Sequence, residues 1–508
     1  MAVTNQPRTQ LKLPLWAQRS KLRLDLLGEA LSNRIAKDLI RKKFTAVIIS
    51  WEQFTALRTC TETQSALALL KKKKIKLIAS MNFDSYNHDA LLRLTPTAEQ
   101  WMKRDERGAL AKTLNGSMVF ADVTHCGWQN FVRAQMLAAI DEGFDGIWFT
   151  PLHADEEQGI AFLNALQASA KGSLGERYSE FIFCGRPQID SPIAAHFPVI
   201  IDPAGMKPGF SSDTVLRTNL GELKFLYELN GRDTTSAKGF YAGELSPREL
   251  ANAAAEILAS GGTFADQRTP ENFLAFHADA ASRLAGSQPI GSVGLIMNSD
   301  AVYASSVYTS LLARANIQYD VIPAHQIDNF DLKKYGLLST LFLESPSSEL
   351  KMMLQHFTER GGTWLESLEA EEPVRRFEKL LGKGRVIAYR VPALSAMDAD
   401  LSSITPFLVE TVLPDIAAHC GPQPILVNAP DGVIALLWGK GTRRWVHVLN
   451  YRSEHSSATI TLPECGGRTL EVFSPDVKPP ELKVIDTGNA RCVFELNGLE
   501  TYAIVEIV

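Results

Sequence analysis

The stretch Gly143-Phe-Asp-Gly-Ile-Trp-Phe-Thr150 decides how this chain is read. A helix ends, Gly143 turns the chain, and Ile147, Trp148 and Phe149 follow as a continuous apolar run. Such a run marks a strand covered on both faces. Upstream, Val119-Phe-Ala-Asp-Val-Thr-His-Cys-Gly-Trp128 leads into an amphipathic helix carrying Phe131, Met136, Leu137 and Ile140. Helix, turn and buried strand together are one unit of an α/β fold.

The unit recurs on both sides. Strands are expected at 11–16, 44–50, 75–81, 145–150, 180–185, 197–202, 223–228 and 262–265. Helices are expected over 22–42, 63–73, 97–103 and 156–170, and over 247–260, where Ser246 caps and Pro247 takes the first position. Eight strands with no glycine-rich nucleotide turn after the first predict a (β/α)8 TIM barrel over residues 1–270, rather than an open doubly wound sheet.

Beyond a helical connector at 271–287 the pattern starts again. Strands at 290–297, 318–323, 337–343 and 362–365, with helices at 302–315 and 349–360, predict a flavodoxin- or amidotransferase-like α/β domain over 288–420. From 421 to 508 short strands separated by turns predict an antiparallel β-sandwich.

Bulk properties narrow the function. The chain has 508 residues, 45% hydrophobic and 21% charged, with net charge −5, which gives no electrostatic case for nucleic acid. The basic run Lys71–Lys74 reads as a solvated helix end. No stretch of about 18 apolar residues predicts a membrane span, and the first residues do not read as a signal peptide. Six scattered cysteines without a CxxC pair point to free thiols in a reducing, cytoplasmic setting. No phosphate loop, nucleophile elbow or ligand-spaced metal cluster stands out, so neither a cofactor nor a metal is expected.

The order barrel, flavodoxin-like domain and β domain resembles the β-galactosidases that carry a trimerisation domain. The matching residues are Tyr308, Leu311-Leu312, Ile317-Gln-Tyr-Asp-Val-Ile322 and Gly361-Gly-Thr363. The barrel resembles the glycosidases related to endo-α-1,4-polygalactosaminidase and the α-fucosidase-like barrels, whose fourth strand lies in a "D…W…helix…GFDGIWFD" segment. Here Asp122, Trp128 and Gly143–Phe149 match. These resemblances imply a carbohydrate substrate, glycosidase activity and a homo-oligomer formed through the flavodoxin-like domain. One departure stands out: Thr150, followed by Pro151-Leu-His153, occupies the place of the family's strand-end carboxylate.

Glycoside hydrolysis needs two carboxyl groups, about 5 Å apart for retention or about 6.5–9.5 Å for inversion. In a barrel they sit at the C-terminal strand ends. The leading pair is Asp202 and Glu228, with Asp122 as substitute; Glu52, Asp84 and Asp266 also fall at strand ends. Each has a structural alternative: a salt bridge or cap for Glu228, a turn cap for Asp202, a helix N-cap for Asp122. Asp145 reads as a turn residue at the barrel bottom. Trp51, Trp128 and Trp148 suit either sugar stacking or core packing. Asn82, Asp84, Tyr86, His153 and Arg186 complete the candidate substrate-binding set. A catalytically degenerate barrel that binds carbohydrate or assembles is the alternative function, with a sugar lyase or transferase as a third.

Overall fold

The computed structural model describes residues 13–18, 21–27, 29–112, 118–150, 156–185, 193, 196–202, 208–210, 216–217, 220, 223–224, 235–240, 242–266, 268–298, 302–343, 346–369, 375–391, 405–463, 465–488 and 490–508. The chain forms two compact units. One comprises Met1–Pro203, Asp233–Gly239 and Thr263–Gln267; the other comprises Ala204–Arg232, Phe240–Gly262 and Arg268–Val508.

The first unit is a parallel eight-stranded barrel. Its strands are β1 (Leu24–Leu26), β2 (Ala46–Ser50), β3 (Lys76–Asn82), β4 (Gly146–Thr150), β5 (Ile182–Gly185), β6 (Val199–Asp202), β7 (Thr235–Lys238) and β8 (Thr263–Phe264). They neighbour one another in chain order, and a parallel bridge from Leu24 to Ala265 brings the last edge back to the first. Alternation sends Leu24, Ala46, Ile48, Ile78, Trp148, Ile182, Cys184, Val199, Ile201, Ala237 and Ala265 into one buried interior cluster. Helices α1 (Asn33–Arg41), α2 (Trp51–Leu57), α3 (Thr61–Lys72), α4 (Cys126–Asp141) and α5 (Glu156–Leu174) connect the early strands.

Two strands differ from expectation. The first is Leu24–Leu26, inside the stretch expected to be helical, and helix α1 starts only at Asn33 behind the Ser32 cap. Leucines at 22, 24, 26 and 27 satisfy period two as well as a helical stripe, so spacing alone could not decide. The expected strand 11–16 is, where described, a 3-10 turn, Leu15–Ala17, that packs under the barrel. Ala17 joins the interior cluster, its carbonyl accepts from Thr235 Oγ1, and the Trp16 indole donates to the Glu180 carbonyl at 3.0 Å. The seventh strand is Thr235–Lys238, not 223–228. Thr-Ser-Ala-Lys has no apolar run, yet all four residues are buried. Leu223 and Lys224 are helical, and residues 225–228 lie outside the described residues.

The second unit holds a six-stranded sheet made of β9 (Val293–Met297), β10 (Tyr319–Pro323), β11 (Leu337–Ser339), β12 (Thr363–Glu369), β13 (Arg375–Leu381) and β14 (Gly384–Val391). The order is β10-β9-β11-β12-β14-β13, parallel except for the edge strand β13. Sequence reading missed β13 and β14; Arg-Arg-Phe-Glu-Lys in β13 lacks alternation, whereas β14 carries the apolar run Val386-Ile-Ala-Tyr389. Two antiparallel sheets, of five and four strands, complete the unit; Gln288–Pro289, ahead of β9, supplies one edge of the larger. They share one core in which Val433, Val446 and Val505 of one sheet meet Ile460, Phe494 and Leu496 of the other. Helix α6 (Pro247–Ala259), with the expected Ser246 cap completed by Glu249, belongs to this unit rather than to the barrel. The Tyr451 hydroxyl donates to its buried Glu256 at 2.8 Å. Helix α7 (Glu271–Arg283) sets Phe276 against Phe473 and Tyr502.

Candidate functional site

A cleft of 360 Å³ opens at the C-terminal ends of β2 and β3. Helix α2 begins where β2 stops: Ser50 is the last strand residue and also the helix cap, its Oγ accepting from the Gln53 N–H. With no intervening loop, Ser50, Trp51 and Glu52 all reach the cleft wall. β3 contributes Ser80, Met81 and Asn82. The excursion after β3 turns back through a short antiparallel pair, Ser85–Tyr86 with Val119–Phe120, and so adds Tyr86, Asn87 and Met118. Helix α4 closes the wall with Phe131, Val132 and Gln135.

The side chains are fixed by packing. Trp51 is 5% exposed, stacks on Phe54 at 5.5 Å, meets Phe144 edge-on at 5.7 Å, and donates its indole N–H to Gln135 Oε1. Tyr86 packs edge-on against Phe131 at 5.8 Å and Trp128 at 6.3 Å. Burial, and secondarily the negative charge of Glu52, push its phenol up to about 12, so it remains a protonated donor at neutral pH. Glu52 is exposed in the first turn of α2, where a carboxylate is favoured.

Of the residues singled out from sequence, Trp51, Asn82, Glu52 and Tyr86 meet in this cleft. Thr150 ends β4 in register with Asn82, beside the cleft. Trp128 is not a platform: it is 0% exposed, and its indole N–H holds the Phe83 carbonyl at 2.9 Å. Asp84 is 2% exposed and stands outside the lining, with its carbonyl accepting from the Ala121 N–H at 2.7 Å. Asp122 does not cap α4. Its Oδ1 accepts from the Thr124 N–H at 2.9 Å and hydroxyl at 2.6 Å, while His125 Nδ1 caps the helix by accepting from Gly127 N–H. Burial raises the Asp122 carboxyl, but Thr124, Lys103 and His125 outweigh it and hold the group below its ordinary value. It is therefore ionised at neutral pH and holds no proton to donate.

Asp202 ends β6 in register with Lys238 of β7. Glu228, His153 and Arg186 lie outside the described residues. Asp145 is the expected structural turn residue, pairing with Lys76 at 2.8 Å and accepting from the Leu77 N–H at 3.0 Å. Sequence reasoning missed Asn87 and Gln135. The only signal for Gln135 was its place one turn beyond Phe131 on the same helix face. Among the described residues no three His, Cys, Asp or Glu side chains are grouped to hold a metal, and no helix is long and apolar enough to cross a membrane.

No family model matches the sequence, and no curated protein is similar to it. Solved structures do share its architecture. The α-L-fucosidase isoenzyme 2 of Paenibacillus thiaminolyticus matches with TM-score 0.64 and 11% identity, over 96% of this chain and 99% of that one. The β-galactosidase of Rahnella sp. R3 matches with TM-score 0.62 and 10% identity, over 98% and 100%. The β-galactosidase of Bacillus circulans sp. alkalophilus matches with TM-score 0.61 and 10% identity, over 96% and 98%. At such identities the likeness is one of fold, and it runs over nearly the whole of this chain.

Proposed function

We propose that the chain is a glycoside hydrolase acting on an oligo- or polysaccharide at the C-terminal face of its barrel. The observation that carries this reading is the cleft beside β2 and β3, where hydroxyl, amide, phenol and carboxylate groups converge at the barrel end that hosts catalysis. The fold shared with a fucosidase and two β-galactosidases supports the substrate class. Acid-assisted departure of the leaving sugar requires two carboxyl groups. We assign Asp202 and Glu228, with Asp122 as substitute. Asp202 keeps its place at a barrel strand end, whereas Glu228 loses the strand-end argument now that β7 is Thr235–Lys238. A domain division at 1–270, 288–420 and 421–508, a flavodoxin-like character for the parallel sheet, self-association through that domain and a cytoplasmic setting belong to the same reading.

The test is hydrolysis of aryl α- and β-glycosides by wild type, Asp202→Asn, Glu228→Gln and Glu52→Gln. A drop of about 10³-fold or more in one variant identifies a carboxylate of the reaction. One observation favours a second reading, a barrel that binds carbohydrate without turnover: Thr150 ends β4 where the resembling glycosidases carry a carboxylate. Sugar binding without hydrolysis of any glycoside would establish it.

A further inference from the structure

The cleft also carries information about the charge of its ligand, an inference that rests on the carbohydrate reading above. Among the described residues its one charged lining group is Glu52. The other polar side chains are neutral: the hydroxyls of Ser50 and Ser80, the amides of Asn82, Asn87 and Gln135, the Tyr86 phenol and the Trp51 indole. Among the described residues no Lys, Arg or His lines it. Its 360 Å³ lies at the small end of ligand pockets, about 300–1,000 Å³.

We propose that Glu52 is the specificity-determining residue of this cleft, accepting hydrogen bonds from the hydroxyls of an uncharged sugar and repelling sugars that carry a carboxylate, sulfate or phosphate. A carboxylate offers several acceptor sites and suits a ligand rich in O–H donors. Against an anionic ring it has no such partner, and two like charges a few ångströms apart repel even at an exposed position. The Tyr86 phenol, ringed by Trp128 and Phe131 and held protonated, supplies the complementary donor. Gln135 acts at one remove, tying the Trp51 indole so that the residue next to Glu52 stays in place. The difference expected between a neutral sugar and its uronic acid is roughly tenfold in affinity.

The test is calorimetric titration of the full chain with methyl glucoside and methyl galactoside, each beside glucuronic and galacturonic acid, with circular dichroism confirming that every variant is folded. The expected result is neutral sugar binding about tenfold tighter than uronate. Glu52→Gln should reduce that gap below about threefold, chiefly by gain of uronate affinity. Tyr86→Phe should weaken the neutral sugar by about fivefold and leave the ratio in place. Uronate binding equal to or tighter than neutral sugar, or a ratio unmoved by Glu52→Gln, would overturn the inference while leaving the carbohydrate reading intact. Binding of none of these sugars would overturn that reading and this inference with it.

Discussion

Replacing Trp128 by Phe separates a packing tryptophan from a sugar platform. Trp128 is fully buried on α4 and donates to the carbonyl of Phe83, the residue that follows β3. That bond ties α4 to the excursion carrying Tyr86 and Asn87 into the cleft. Phe keeps an aromatic ring but loses two ring carbons and the N–H. The lost carbons cost about 1.5 kcal/mol of transfer free energy. Leaving the buried carbonyl without its donor costs about 1–3 kcal/mol more. The expected local destabilisation is about 3 kcal/mol. Because the chain holds two compact units, a single global unfolding free energy is a poor measure. Amide hydrogen exchange of peptides covering 83–86 and 126–132 reads the effect directly, as roughly 100-fold faster exchange. A platform role predicts the reverse: exchange unchanged, and sugar affinity falling with the smaller ring. That outcome would refute the placement of Trp128 in the core.

Three further outcomes follow from the described geometry. In Gly185→Ala the new methyl would stand 2.7 Å from two ring carbons of Phe197, itself 1% exposed, so overpacking should cost about 1–3 kcal/mol and lower the melting temperature by several degrees. Asp145→Asn removes a half-buried ion pair with Lys76 at the N-terminal end of the barrel; it should cost about 1 kcal/mol locally, read as roughly fivefold faster amide exchange of peptides covering 76–78 and 144–147, and leave sugar binding in the cleft unchanged. In the second unit, burial raises the Asp415 carboxyl, but hydrogen bonds from Arg376 and Tyr389 outweigh it and hold the group below its ordinary 3.8. A depressed folded value means stability present above 3.8 and lost as pH falls below it; that component of acid unfolding should vanish in Asp415→Asn.

Much of the fold was legible from residue pattern. The runs at 46–50, 76–82 and 146–150 are apolar because both faces of a barrel strand are covered, and they were read almost to the residue. The Ser246–Pro247 helix start follows equally plainly from cap chemistry. Strands β1 and β7 were not legible. β1 is three residues long within a leucine-rich stretch that fits two periods. β7 buries Thr235 and Lys238, and the Thr235 hydroxyl is satisfied by the carbonyl of Ala17, 218 residues earlier in the chain. No local pattern signals a partner that distant.

By itself the sequence determined the strand–helix rhythm of the barrel, the parallel sheet and antiparallel sheets that follow, and the departure at Thr150. These are properties of short windows, in which hydrophobic period and cap residues act on near neighbours. Only the tertiary structure decided which candidates share a site. It brought Trp51, Glu52, Asn82 and Tyr86 to one cleft with Gln135, and it withdrew Trp128 into the core. The reason is geometric: closing a barrel sets the ends of distant strands side by side, and an indole's use depends on which neighbours cover it.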